Sequence, residues 1–280
     1  MHRDLLDPTA VQLAADVLDD LERVRMANAA RYGALTGFTP DGKPWKPDKD
    51  EVVRSAGMAP DHPAAVRFLS IFDALKTIEA DAVKGLEKAM AAHPMGAWVK
   101  AQRGLGMKQA GRLLAAIGDP YWRFDTDAPR TVSALWAYSG LHVADGKAVK
   151  RQKGVKSNWS TNAKTRAYLC AESCLKQLDR ACKGGGETQA DEASTSAAAP
   201  PQHTDDCRCS PFRVAYDRRR AATAPELRDA AGLEAWTLGH RHTDAMRYAS
   251  KEILKAFWIE ARRLHVLADP DLLENPPLLP

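Results

Sequence analysis

The stretch Val99-Lys-Ala-Gln-Arg-Gly104-Leu105-Gly106-Met-Lys108-Gln-Ala110-Gly-Arg112-Leu113-Leu114 has the pattern of a helix-hairpin-helix and points to a mainly α-helical protein. Gly104 and Gly106 permit a tight turn between two short helices and let backbone approach a phosphate. Leu105 between them plugs a small core. Ala110 allows close helix packing, and Leu113 and Leu114 give the second helix its buried face. Amides at the start of that second helix point outward and favour anions. Lys108 and Arg112 are placed to add charge-assisted contacts to the same strand. Contacts of this kind position a protein on a polynucleotide without reading its sequence.

Charge is distributed to match. Residues 1–95 carry 12 basic and 15 acidic groups, whereas residues 96–182 carry 15 and 6. The whole chain is at +4, so nearly all of the excess sits in one central block, as expected for a polyanionic partner. Its densest part, Gly146 to Ala171, holds Lys147, Lys150, Arg151, Lys153, Lys156, Lys164 and Arg166 and no carboxylate. A solvated helix face usually mixes both signs. Trp159 interrupts the run, where it can stack on a base or pack in the core. Together the glycine elbow and this block are expected to form one continuous electropositive surface.

Working toward the N-terminus, Asp7-Pro8-Thr9 is a helix start signal, and Val11, Ala14, Leu18, Leu21 and Val24 fall on one stripe to about Arg31. Glycines and prolines between Gly33 and Pro47 predict a loop. Asp61-His62-Pro63 predicts a second start, and Phe68, Ile71, Leu75, Ile78 and Ala82 carry coiled-coil spacing up to His93. Residues 1–95 therefore read as a helical hairpin or coiled-coil arm, suited to a second copy of the chain or a recombinase partner.

Toward the C-terminus, residues 96–182 form the helix-hairpin-helix and basic block, with a turn or small β-hairpin near His142 to Gly154. Residues 183–210 are rich in small and polar residues and predict a linker or insertion. Residues 211–268 complete the domain with helices, the strongest from about Thr243 to Val266, and 269–280 read as a tail.

From Gly104 to about Leu264 an ordered series of segments is similar to one family. The series is Gly104 to Asp119, Phe124, Ala134-Leu-Trp-Ala-Tyr-Ser-Gly-Leu141, the basic stretch, Asn162 to Leu169, Ser210-Pro-Phe-Arg-Val-Ala-Tyr216 and Ala245 to Trp258. It resembles the C-terminal, serine-bearing domain of the bridge-RNA-guided insertion-sequence transposases, whose other domain is a DEDD nuclease. The resemblance implies a helical DNA-binding domain, with RNA as a further partner, and a coiled coil where residues 63–93 lie. Two departures are informative. About 60 residues precede Pro63, too few for an α/β nuclease domain. The family's catalytic serine precedes a glycine, and that place holds Asp145-Gly146. An aspartate cannot form the covalent serine–phosphate bond. No catalytic residue is assigned, and the chain is read as a binder rather than an enzyme.

Other candidates have plainer readings. His203, Asp205, Asp206, Cys207 and Cys209, with Cys170, Cys174 and Cys182 upstream, suggest metal, but C-x-C and C-x3-C are not the common C-x2-C knuckle spacing. No metal and no cofactor is assigned. Asp125 and Asp127 read as caps of the next helix, and Thr243 or Asp244 as the cap of the last. His240 and His242 are alternatively metal ligands or phosphate contacts. Arg218-Arg219-Arg220, and Arg247, Lys251 and Lys255 at i, i+4, i+8, either track a backbone or face solvent.

An odd count of five cysteines without an export signal predicts a reducing, cytoplasmic setting. No apolar run is long enough for a membrane span. The expected role is an accessory or regulatory DNA-binding factor in mobile-element or phage recombination. The alternatives are an active recombinase subunit, using Ser139, Ser157, Ser160 or a separate nuclease, and an interaction module with a basic docking face.

Overall fold

The structure is a computed structural model that describes residues 4–46, 57–144, 146–179, 182, 201–204 and 206–274. Most of the expected linker, and Asp145, lie outside the described residues. The described chain is mainly α-helical, with two small antiparallel strand pairs. Among the described residues, no helix is long and apolar enough to cross a membrane.

The chain divides into two compact units. Gln12–Ala89 forms one, and the residues before and after it form the other. In the first, α1 (Thr9–Thr36) and α2 (Pro63–Ala92) lie antiparallel. Arg25 pairs with Glu79 at 2.5 Å, and Tyr32 stacks on Phe68 at 5.9 Å between ring centres. Asp7 caps α1, accepting from the Thr9 amide at 3.0 Å. The cap of α2 is the imidazole of His62, whose Nδ1 accepts from the Ala64 amide at 3.2 Å. The expected coiled-coil seam is split. Phe68 and Leu75 are half-buried, but Ile71 and Ile78 are each 52% exposed. Val24, expected on the α1 stripe, is also exposed. The buried stripe of α2 runs instead through Ala65, Phe68, Phe72 and Leu75, so Phe72 takes the place expected of Ile71, and Ile71 and Ile78 fall just outside the shared face.

The second unit is built around α9 (Leu238–Ala268), against which α5 (Val132–Tyr138), α6 (Thr161–Leu175) and α7 (Pro211–Ala222) pack. The elbow helices α3 (Gly96–Ala101) and α4 (Met107–Ile117) pack on each other, and α4 lies on α6. Close approach is possible because α6 presents Ala163, Ala167, Cys170, Ala171 and Cys174, all fully buried small residues, while α9 presents Ala245 and Ala249. Leu113, Leu114, Ile253, Leu254 and Phe257 fill the space between. Beyond α7 comes the short α8 (Pro225–Ala230), and α10 (Asp271–Glu274) follows α9.

Strands β1 (Trp122–Arg123) and β2 (Ala128–Pro129) form a hairpin that the sequence reading does not anticipate. Asp125 and Asp127 belong to its turn and do not cap a helix. Asp125 pairs with Arg123 at 2.6 Å, Asp127 adopts φ 49 and accepts from Trp122 Nε1, and Thr131 caps α5. The hairpin β3 (Val143–Ala144) and β4 (Lys147–Ala148) falls inside the expected window.

Three polar groups tie this unit together. Asp119 is fully buried, accepts from the amides of Tyr121 and Trp122, and meets His265 Nε2 at 2.6 Å. An ionised carboxylate only accepts, so the imidazole donates. Arg130 donates to the carbonyls of Pro120, Ile117 and Asp119, and burial pushes its guanidinium down to about 10.

Candidate functional site

At the elbow the two glycines have different jobs. Gly104 sits at φ +89, and a Cβ there would lie 2.8 Å from Gln177 Cγ and 2.9 Å from Cys174 Cα. Ser173 Oγ also donates to the Gly104 carbonyl at 2.9 Å. This glycine therefore seats the turn on the end of α6. Gly106 is exposed, has ordinary backbone and open space around it, and precedes the first amides of α4.

Gly104→Ala is expected to cost about 2 kcal/mol or more, from left-handed strain and overpacking together. Gly106→Ala is expected to stay within about 1 kcal/mol. Urea denaturation of the two variants checks the pair. Equal midpoints would contradict this division of roles.

Burial corrects part of the expected contact set. Arg112 is 4% exposed and lies in the core of α4, so it cannot reach a strand outside the molecule. Leu105 is likewise buried, as the plug it was read to be, and makes no outward contact. Lys108 is half-buried. Its helix position, one turn from the core face, leaves less of it outside than the sequence pattern implies.

The basic block behaves differently. Lys147, Lys150, Arg151, Lys153 and Lys156 are exposed on the β3–β4 hairpin and the loop that follows. Lys147, Lys150 and Lys164 converge on a cleft of about 660 Å³ between that hairpin, α6, α7 and the start of α9. Arg219, Arg247, His240, Tyr168 and Trp236 complete its walls, and among the described residues Asp244 is its only lining carboxylate. Asp244 is already engaged, by Arg219 at 2.5 Å and Arg247 at 2.9 Å. Burial opposes its charge, yet hydrogen bonds from those two arginines hold it below the usual carboxylate range.

Lys164 lines this cleft from α6. Its Nζ approaches the Val149 carbonyl at 3.4 Å and lies 5.8 Å from the Trp159 ring centre. Burial, and then the Arg247 charge, push its ammonium below the ordinary lysine range. A cation held in this way gains from an incoming anion. Arg151, Lys153 and Lys156 line adjoining hollows that share Lys156 and Gln152 with the Lys147–Lys150 surface. Arg166 is half-buried on α6.

Trp159 takes the packing role. Its indole covers Gly140, where a Cβ would come within 2.3 Å, and its ring faces His142. Trp236 and Tyr168 line the cleft instead. Tyr168 lies within the basic run, whereas Trp236 stands apart from it in sequence, so only the fold brings Trp236 there. Of the three consecutive arginines, Arg218 is exposed, Arg219 enters the cleft and Arg220 is buried. Of Arg247, Lys251 and Lys255 on α9, only Arg247 lines the cleft. Lys251 lies 3.9 Å from the Trp136 ring centre, and Lys255 approaches Glu252 at 3.9 Å. His240 and His242 lie inside α9, which begins earlier than expected because Thr237 caps it.

The elbow and the cleft lie at different places along α6. Gly104 abuts Cys174 near the end of α6, whereas Lys164 stands ten residues earlier, about 15 Å along the axis.

The nearby serines have structural duties. Ser139 is fully buried at the end of α5, Ser160 caps α6 by accepting from the Ala163 amide, and Ser157 donates to the Trp159 carbonyl.

The sequence reading assigned no metal. The structure separates Cys170 and Cys174, buried on α6, from a second group in which donor atoms of Cys182, His203, Cys207 and Cys209 lie within 4.8 Å of one another. Asp205 lies outside the described residues.

Compared with family models, curated proteins and solved structures, the chain matches none.

Proposed function

We propose that this chain binds DNA through the cleft between the β3–β4 hairpin, α6, α7 and α9. It would then act as an accessory or regulatory factor in mobile-element or phage recombination. The observation that carries the binding reading is the cleft's charge balance. Lys147, Lys150, Lys164, Arg219 and Arg247 surround a space whose one carboxylate among the described residues, Asp244, is paired with two of those arginines. The exposed loop cations extend this surface, and Trp236 offers a ring for an unpaired base. The recombination context rests on the resemblance to the transposase C-terminal domain. So does the absence of its chemistry, because Asp145 takes the serine's place in the sequence. The structural duties of Ser139, Ser157 and Ser160 speak against a substitute nucleophile. The arm formed by α1 and α2 would serve a second copy or a recombinase, and the exposed Ile71 and Ile78 support that use.

The test is a salt-titrated binding comparison of duplex, single-stranded and branched DNA with RNA. Log affinity is expected to fall linearly with log salt, with a slope of about −0.9 per duplex phosphate neutralised. A flat response on all four probes would instead favour a basic docking face for an acidic protein. Cleavage or strand transfer in the same mixtures would favour the enzyme reading.

A further inference from the structure

We propose that Cys182, His203, Cys207 and Cys209 form a closed, four-ligand zinc site that fastens the end of α6 to the start of α7. The inference is independent of the nucleic-acid reading.

The donor set comes first. Three sulfurs and one imidazole nitrogen lie within 4.8 Å of one another. Cys207 Sγ stands 3.6 Å from His203 Nδ1. A zinc tetrahedron with Zn–S of about 2.3 Å and Zn–N of about 2.0–2.1 Å has S···N edges of about 3.5–3.6 Å. Soft thiolates with one imidazole select zinc over magnesium or calcium, which take oxygen. Cys182 and Cys209 are 4% and 8% exposed, so the site is shut from solvent on two sides, as a structural centre requires.

The surroundings match as well. His203 offers Nδ1 to the cluster because its Nε2 is taken, 3.0 Å from Asp217 Oδ2. Asp217 is itself held by Arg213 Nε at 2.5 Å. A carboxylate behind the second ring nitrogen fixes the tautomer and orientation of a metal-bound histidine. Both side chains are almost fully buried, at 5% and 1% exposure. A buried His–Asp–Arg chain thus ends at three sulfurs. On the opposite side the Asp179 amide donates to Cys209 Sγ at 3.1 Å, the polarity a thiolate wants. The Arg208 amide in turn donates to Asp179 Oδ2 at 2.8 Å.

The position explains the use. Ser210 donates its amide to the Gln177 carbonyl, and Arg213 donates to the Leu175 carbonyl. Between Cys182 and His203 lie twenty residues of sequence. A metal that joins their ends offsets the entropy of closing that loop. Binding converts three thiols to thiolates, with three protons released to water, and leaves the imidazole neutral with its proton on Nε2 facing Asp217.

The experiment measures metal in the whole chain purified without added chelator. About one zinc per chain is expected. Replacement by cobalt(II) should give the ligand-field bands of a tetrahedral site and sulfur-to-metal charge transfer. Cys207→Ser should lower metal content at least tenfold after dialysis, whereas Cys170→Ala should retain it. Asp217→Asn should weaken affinity about 10–100-fold without removing a ligand. If the ligand variants fail to fold, thiol labelling of the native wild-type chain decides. Chelation should expose three further thiols to a maleimide and leave Cys170 and Cys174 protected. Folded wild-type chain with less than a tenth of an equivalent of metal would overturn the proposal. So would unchanged metal in Cys207→Ser, or a disulfide among these cysteines.

Discussion

Replacing Asp119 with alanine is expected to lower stability by about 3–5 kcal/mol, the usual cost of removing one partner from a buried pair. The carboxylate does three things at once. It accepts from the Tyr121 and Trp122 amides and receives His265 Nε2, all within the core. Alanine leaves those donors buried without their acceptor, and each such loss is worth about 1–3 kcal/mol. For a unit of this size the melting temperature should drop by about 10 °C. Thermal unfolding followed by far-ultraviolet circular dichroism reads the shift. Asp125→Ala is the comparison. Its pairing with Arg123 is exposed, so it should change stability by no more than about 0.5 kcal/mol. Should Asp119→Ala melt within a degree or two of wild type, the Asp119–His265 pair does not hold the unit together.

The second large effect concerns binding. Changing Lys147, Lys150 and Lys164 together to glutamine is expected to reduce the salt slope for duplex DNA by about 2.7, at about 0.9 per lost phosphate contact. If the variant and the wild type converge near 1 M salt, that slope corresponds to about 10²–10³-fold weaker binding at 0.1 M. Stability should change little, since Lys147 and Lys150 are exposed and Lys164 makes a long contact to the Val149 carbonyl. Glutamine at three exposed acidic positions of the arm, such as Asp73, Asp81 and Glu87, should not weaken binding. An unchanged slope in the lysine variant would place the phosphate contacts somewhere other than this cleft.

Local signals were legible where the deciding residues were neighbours in sequence. Asp7 and Thr9 start α1, and the elbow glycines separate α3 from α4. The end of α2 at Ala92 follows from His93-Pro94. Where tertiary packing decides, the pattern misled. Arg112 reads as a surface cation because arginine is seldom buried, but it lies at 4% exposure on α4, which packs on α6. The β1–β2 hairpin was missed because its turn places Asp127, not a glycine, in the left-handed region. The start of α9 was set too late because Gly239 and two histidines weaken the helical signal after the Thr237 cap. The cleft was half visible. Its lysines lie in one run, while Arg219, Trp236 and Arg247 arrive from distant helices. The Cys–His residues stand among the metal candidates in the sequence, but their spacing is not that of a common knuckle and Cys182 is twenty-one residues from the nearest of its companions, so the sequence alone does not single out the four.

The dependence of the second unit on α9 has a consequence for how the polypeptide matures. Trp136 donates to the Lys251 carbonyl across 115 positions, Trp258 to Arg130 across 128, and Asp119 meets His265 across 146. Contacts this remote form late and slowly, after much chain entropy has been lost. On the ribosome, α4 to α7 would emerge with their apolar faces bare until α9 has cleared the exit tunnel. The nascent protein is then most exposed to aggregation and to chaperone capture in the interval before that helix emerges.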